Sequence, residues 1–168
     1  MLYIGIDQKL LRTGVVILTG SGAILYSISP KPGSTPDRLV QIQHAFSSLL
    51  NRFPTIAAAM MESHSFGSPS RKYDLGAVWG ILVCELQKRE IEILPSPAPK
   101  QLKKFVTGNR NATKEEVEEA IKNHYGIGAR NDDEADAAGL ALMARAYKEE
   151  NWDRRCEGEV IKALKEKA

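Results

Sequence analysis

The sequence predicts an α/β domain: a mixed five-stranded sheet, made of a three-strand antiparallel meander plus two parallel strands, with helices on both faces. Three observations predict it. Three short β-branched runs follow one another near the N-terminus with turn residues between them. Further on, short apolar runs alternate with stretches of helical periodicity, as in strands joined by crossover helices. One of those runs, Ile56 to Met61, is apolar throughout, as a strand buried on both faces must be. A length of 168 residues with 43% hydrophobic side chains supports one domain with a real core and is too short for two. Residues 1–150 are expected to form that domain, followed by a charged helical tail at 151–168.

Leu2 to Ile6, Val15 to Leu18 and Ile24 to Ile28 form the meander, separated by Gly14 and by the turn cluster Thr19-Gly-Ser-Gly22. Pro30, Pro32 and Gly33 make a linker. Thr35-Pro-Asp37 then starts a helix, with a cap, a proline in the first turn and an acid near the positive end of the dipole. Leu39, Ile42, Phe46, Leu49 and Leu50 recur at helical spacing through Arg52. After the Ile56–Met61 strand, a second helix is predicted from about Pro69 to Arg89, its apolar stripe formed by Leu75, Val78, Trp79, Leu82, Val83 and Leu86. Ile91 to Leu94 is the last strand. Beyond Pro95, Pro97 and Pro99 the chain reads as helical, with a capping box at Thr113-Lys-Glu-Glu116 and a strong helix from about Asp133 to Lys148. In the tail, Trp152, Val160, Ile161 and Leu164 predict a peripheral helix.

With 23 Lys+Arg against 21 Asp+Glu, the net charge of +2 does not by itself point to nucleic acid, so any such signal must come from local clustering. Cys84 and Cys156 stand far apart, which excludes a CxxC zinc or redox motif and fits reduced thiols in a cytoplasmic protein. No run approaches the roughly 18 apolar residues of a membrane span, and the N-terminus lacks the pattern of a secretory signal. No membrane and no organic cofactor are expected.

Two carboxylates end strands: Asp7 closes the first, and Glu62 ends the apolar Ile56–Met61 run. Either alone reads as an ordinary strand-end acid. The first strand of a meander and the strand after the next helix are commonly sheet neighbours, however, so the two acids can converge. Asp133 and Asp136 lie three apart at a helix start and project from one face. Asp133 also suits a helix cap. Asp136 opens the run Ala135-Asp-Ala-Ala-Gly-Leu-Ala-Leu142, whose small residues imply close packing on the sheet, and a charge placed there needs a partner or a metal. Asp132, one position out of register, is expected to stand outside the site. Four acids without a His or Cys cluster fit Mg²⁺ or Mn²⁺ better than zinc, and two such ions can stabilise the attacking and leaving oxygens of a phosphodiester. His44, His64 and His124 form no ligand spacing.

From Lys100 to Lys114 the chain carries Lys100, Lys103, Lys104, Arg110 and Lys114 with no intervening carboxylate. A solvated helix face is one reading. The polar Thr107-Gly-Asn-Arg-Asn111 between them suits backbone contact with phosphates and favours nucleic acid.

Gly5-Ile-Asp7 with Thr13-Gly14, an apolar strand ending in Glu62, Lys103-Lys-Phe-Val-Thr-Gly108 followed by Ala112-Thr-Lys114, and Asp133-Glu-Ala-Asp-Ala137 together resemble the RuvC Holliday junction resolvases, of the ribonuclease H-like superfamily. The resemblance covers roughly residues 2 to 148. It implies that Asp7, Glu62, Asp133 and Asp136 are ligands of two Mg²⁺ or Mn²⁺ ions, with Asp7 bridging. It places Lys103 and Lys114 on the family's functional lysine positions, Lys114 within the catalytic set. It further implies a homodimer that nicks two symmetric strands of a four-way DNA junction. The expected DNA contacts are Lys103, Lys104, Arg110 and Lys114, with Phe66 and Arg71 downstream of the second acid. The chain departs from the pattern at Gln8-Lys9, where a Pro-Gly pair is usual, and Phe66 matches a family aromatic only approximately. The tail has no family counterpart, and the divergence suits a phage-encoded member.

Other functions share parts of these motifs. An actin-like ATPase also has a phosphate-binding first hairpin, but it needs two lobes. A junction-binding protein without cleavage would not need all four acids. A related nuclease acting on forks, flaps or RNA–DNA hybrids would need the same residues.

Overall fold

The computed structural model describes residues 1–63 and 69–167, with residues 69–72 by their backbone alone. The strands are β1 (Leu2–Asp7), β2 (Thr13–Thr19), β3 (Gly22–Ile28), β4 (Ile56–Met61) and β5 (Glu92–Ile93). The helices are α1 (Thr35–Asn51), α2 (Pro69–Gln87), α3 (Pro99–Thr107), α4 (Lys114–Tyr125), α5 (Asp132–Glu149) and α6 (Arg155–Lys165). The strands form one sheet in the order β3-β2-β1-β4-β5. β1–β2 and β2–β3 are antiparallel, while β1–β4 and β4–β5 are parallel. The expected mixed sheet is therefore present, and the meander and the crossover strands share β1.

Alternation along the strands sorts the core into two faces. Ile4, Ile6, Val15, Ile17, Ala59 and Met61 pack with the buried residues of α1 and α2. Tyr3, Val16, Leu18, Ala58 and Met60 pack on the other side with α3, α4, α5 and α6. By the same parity Asp7 and Glu62 belong to the α5 side. The pairing of Ile6 with Met61 puts these acids next to each other at one end of the sheet.

The small residues of α5 let it lie directly on the strands. Ala135, Ala137, Ala138 and Ala141 are fully buried. A Cβ added at Gly5 would fall 2.1 Å from the Ala137 carbonyl oxygen, and one at Gly14 would fall 2.1 Å from that of Asp133. Glycine is required at both positions because helix backbone occupies the space of a side chain.

Several boundaries differ from the sequence expectation. The α1 cap is Ser34, not Thr35: its hydroxyl accepts from the Asp37 amide at 3.4 Å, and the Ser34 amide donates to Asp37 Oδ2 at 3.1 Å. The α5 cap is Asn131, whose side chain accepts from the Glu134 amide at 3.0 Å, so Asp133 lies inside the first turn and is free of a capping duty. β5 is two residues long because Ile91 donates to the Leu86 carbonyl at 3.1 Å to close α2, with Glu90 in the left-handed region at φ 55°. Trp79, expected in the buried stripe of α2, keeps 36% of its surface exposed. The Thr113 capping box is present as expected.

The tail helix α6 is seated on α3 and α5, with Val160, Ile161 and Leu164 buried in the same core. Buried Glu157 anchors it, accepting from Tyr125 Oη at 2.9 Å and from Arg154 Nε at 2.7 Å. Arg154 in turn donates to the carbonyls of Phe105 and Val106 at 2.7 and 2.9 Å, which helps satisfy the C-terminal end of α3.

Candidate active site

Four expected acids meet at the sheet end where β1 and β4 stop. Asp7 comes from β1, Glu62 from the residue after β4, and Asp133 and Asp136 from the first turns of α5. Asp7 is 4% exposed and Asp133 3% exposed. Gln8 holds the two strand ends together by donating to the Glu62 carbonyl at 2.7 Å.

Burial pushes the Asp7 carboxyl up to about 7, with Lys9 opposing the shift and Asp136 and Asp133 adding to it. Burial raises Glu62 to about 8, and Asp7 and Asp136 raise it further against Lys9 and Lys103. Asp136 rises to about 6, again chiefly through burial. Carboxylates that sense one another this strongly out of water form one electrostatic unit that favours protons or a cation.

The cation next to them is Lys9, which the sequence reading did not assign to the site. Its ammonium stands 2.7 Å from Asp7 Oδ2 and also donates to Asp133 Oδ1. Asp7 Oδ2 is buried and has no well-directed hydrogen bond, so its link to Lys9 is mainly one of charge. Burial draws the Lys9 ammonium down, but the pull of Asp7 and Asp133 outweighs it and holds the proton more tightly than usual. Arg12 donates through Nε to Asp133 Oδ2, and its terminal nitrogen lies 3.0 Å from Asp132 Oδ1. Lys114 pairs with Asp132 Oδ2, and that bond, ahead of other causes, lowers the Asp132 carboxyl. Asp132, expected to stand outside the site, is ion-paired with Arg12 and Lys114 beside Asp133. The available signal was the pair of basic residues Lys9 and Arg12 in the turn just after an acid-tipped strand.

Among the described residues, no three carboxylate, imidazole or thiolate groups converge to the geometry of a metal cluster, since Lys9 stands between Asp7 and Asp133. The donor chemistry nonetheless fits a hard divalent ion: every candidate ligand is a carboxylate, and three of them are held above their ordinary range by burial. Glu134, between the two α5 acids, does not join them. It is fully buried, bound by Arg130 and by Ser27 Oγ at 2.8 Å, and fixes the start of α5 to β3.

Of the expected DNA contacts, Lys103 lies close enough to influence Glu62. Lys114 stands at the site through Asp132, and Arg110 is exposed ahead of α4. Lys104 is turned to α6, pairing with Glu159 at 2.8 Å. Phe66 and His64 lie outside the described residues, as does the Arg71 side chain. Lys9, Arg12, Lys114, Asp132 and Asp133 line one end of a cleft of about 930 Å³, with Arg38 also on its wall.

Residues 3–144 match the family described as crossover junction endodeoxyribonuclease RuvC. The chain belongs to the RuvC family. Similar RuvC proteins include that of Francisella tularensis subsp. novicida (strain U112), 26% identical over 148 residues, covering 84% of this chain and 86% of the relative. That of Synechococcus sp. (strain WH7803) is 29% identical over 153 residues, covering 84% and 96%. The T. thermophilus RuvC solved in complex with Holliday junction substrate superposes with a TM-score of 0.73 at 22% identity, over 84% of this chain and 91% of that one. A second T. thermophilus RuvC structure gives 0.73 over 89% and 96%. These superpositions agree with the ribonuclease H-like sheet described above, and the RuvC match ends inside α5, ahead of α6.

Proposed function

We propose that Asp7, Glu62, Asp133 and Asp136 hold two divalent ions, Mg²⁺ or Mn²⁺, and that this site hydrolyses phosphodiester bonds in four-way DNA junctions. Membership of the RuvC family makes the chain a metal-dependent endonuclease acting on Holliday junctions. The observation that carries the site reading is the meeting of acids from β1, the end of β4 and α5 at one sheet end, where burial pushes the carboxyls of Asp7, Glu62 and Asp136 above their usual range. Bound there, the ions would supply an activated water and neutralise the leaving oxygen.

The chain's own residues do the positioning. Asp7, whose carboxyl senses those of Asp136 and Asp133 and is sensed by Glu62, would be the ligand shared by both ions. Lys103 beside Glu62 and Lys114 beside Asp132 offer cations to the phosphates that flank the scissile bond, and Asp132 holds Lys114 in place. Arg110 adds an exposed phosphate contact, and Phe66 and Arg71, which follow the second acid in sequence, are further DNA contacts in this reading. Lys104 contacts DNA by exchanging Glu159 for phosphate. Residues 1–150 carry the chemistry, and the tail braces α3, the helix of Lys103 and Lys104.

The enzyme acts in the cytoplasm as a homodimer, since a junction presents two equivalent strands and a two-fold enzyme matches them. The outer side of α2 supports this: Tyr73 is 81% exposed, and Gly76 and Gly80 have open space where a side chain would stand.

The test is to measure junction binding and Mg²⁺-dependent cleavage separately for Asp7→Asn, Glu62→Gln, Asp133→Asn and Asp136→Asn, on four-way, forked, flap and RNA–DNA hybrid substrates. Cleavage should fall by several orders of magnitude in Asp7→Asn while binding persists or tightens, because the variant presents less negative charge to phosphates. Retained cleavage in Asp7→Asn would refute the metal-site reading. Preference for a fork or hybrid over the four-way junction would redirect the substrate.

A further inference from the structure

Lys9 sits in the turn between β1 and β2, and the structure puts it in the middle of the acids. Its ammonium contacts carboxylates from two elements, Asp7 of β1 and Asp133 of α5. The turn that carries it is fixed at its base: Thr13 Oγ1 donates to the Lys9 carbonyl at 2.8 Å and accepts from the Lys9 amide at 3.4 Å. Arg12, from the same turn, is tied to Asp132 and Asp133. The backbone is thus anchored, while the Lys9 side chain is 40% exposed and lines the open cleft of about 930 Å³. It has somewhere to go.

A hard divalent ion held between Asp7 and Asp133 would need the oxygens that Lys9 now occupies. An ammonium and a divalent ion a few ångströms apart also repel strongly in a partly dehydrated site. We propose that Lys9 is a built-in counter-ion of the metal-free site, neutralising Asp7 and Asp133 until a divalent ion displaces its side chain outward into the cleft. This rests on the reading that Asp7 and Asp133 are metal ligands. Lys9 then acts as a tuning residue: it stabilises the metal-free fold, in which these acids would otherwise repel one another, and it weakens metal binding by competing for the same oxygens.

The experiment compares wild type with Lys9→Met, which keeps an unbranched stem but no charge, by two readouts that do not involve cleavage. In calorimetric titration with Mn²⁺, Lys9→Met should bind the metal about tenfold more tightly or better, a gain of about 1.4 kcal/mol. In thermal unfolding, Lys9→Met should melt clearly below wild type in EDTA and level with or above it in saturating Mg²⁺, because Lys9 no longer contacts the acids once the metal is bound. Equal or weaker Mn²⁺ affinity, or the same loss of melting temperature with and without metal, would overturn the proposal, since a lysine that stays paired would cost the same in both states. Lys9→Gln, which keeps an uncharged donor for Asp133, carries both measurements if the Met variant does not fold in EDTA. Asp7→Asn separates this inference from the one beneath it. If Asp7→Asn loses Mn²⁺ binding while both Lys9 variants bind like wild type, only the role of Lys9 falls. If Asp7→Asn binds Mn²⁺ as wild type does, the metal ligands themselves are misassigned and the proposal falls with them.

Discussion

Gly5→Ala tests how closely the site depends on the seating of α5 against β1. The new Cβ would stand 2.1 Å from the Ala137 carbonyl oxygen, 2.2 Å from the Ala141 nitrogen and 2.9 Å from the Ala141 Cα. All three are helix backbone, which cannot rotate aside, so α5 must retreat toward a contact distance of about 3.5 Å, a shift of roughly 1.4 Å. Overpacking typically costs about 1–3 kcal/mol, and a clash with backbone on a fully buried interface belongs at or above the top of that range. For a domain of this size about 3 kcal/mol corresponds to a fall in melting temperature of roughly 6–12 °C. The retreat also moves Asp133 and Asp136 away from Asp7, and a misplacement of about 1 Å in a catalytic constellation can cost about 100-fold in rate. Thermal unfolding and junction cleavage, the latter well below the lowered midpoint, measure both effects. Gly139→Ala is the comparison: its Cβ would meet Leu102 Cδ1 at 2.6 Å and Val106 Cγ2 at 2.8 Å, side-chain tips that can turn away. It should lose less stability and keep most of its cleavage. If Gly5→Ala melts within about 2 °C of wild type and cleaves normally, α5 does not set the site geometry.

Two further predictions concern charge. Asp132→Asn releases Lys114 and Arg12, whose side chains are 64% and 42% exposed. Such exposed pairs contribute at most about 1 kcal/mol to stability, so melting should barely change while cleavage falls about tenfold through loss of Lys114 positioning; unchanged cleavage would show that this pairing is idle. For pH, the folded, metal-free protein holds Asp7 at about 7, Glu62 at about 8 and Asp136 at about 6, all above their ordinary values. Between about pH 4 and 8 the native state therefore binds more protons than the unfolded chain, and stability must decline as pH rises through that window. Each extra proton held by the native state makes stability fall by about 1.4 kcal/mol per pH unit. Melting in EDTA should accordingly drop by several degrees from about pH 5.5 to about pH 8.5, and saturating Mg²⁺ should flatten the trend. A rising or flat profile in EDTA would mean the acids are not crowded.

The sequence was most legible where one physical rule had no competitor. The all-apolar Ile56–Met61 run had to be a central strand, and its adjacency to β1 then put Glu62 beside Asp7. The small residues from Ala135 to Ala141 had to mean close packing on the sheet, and Gly5 and Gly14 supply the matching gaps. It was least legible where several residues could do one job. Ser34 and Thr35 both suit a cap, and Asn131, Asp132 and Asp133 all do; the three-dimensional partners decide, since Asn131 as cap buries Glu134 against Ser27 and leaves Asp133 facing Arg12. Lys9 and Arg12 escaped notice because a basic residue in a surface turn is ordinary, and nothing local shows that this turn folds back over its own strand end. Lys104 was read as a DNA contact from its neighbours in sequence, while its α6 partner Glu159 lies 55 positions away and leaves no local trace.

The distribution of charge around the acids also bears on how binding and cleavage relate. Lys9, Arg12 and Lys114 pair with Asp7, Asp132 and Asp133 while their own side chains stay 40%, 42% and 64% exposed. Asp7 and Asp133 are buried and Glu62 and Asp136 half-buried, and the nearby lysines do not prevent the carboxyls of Asp7, Glu62 and Asp136 from rising. A nuclease needs positive charge to attract phosphate and negative charge to hold metal, and in water-poor surroundings the two demands oppose each other. Here the cations keep much of their length in solvent, while the carboxylates they pair with keep only 4–22% of their side-chain surface exposed. Phosphates can engage these cations and the Lys103 helix without metal, since those contacts depend on exposed cations alone. The scissile phosphate can settle over the acids only when their charge is neutralised, whether by metal or by substitution. Junction binding in Asp7→Asn should therefore survive the loss of cleavage, and the same reasoning requires that Lys114→Ala weaken binding even though it leaves every acid in place.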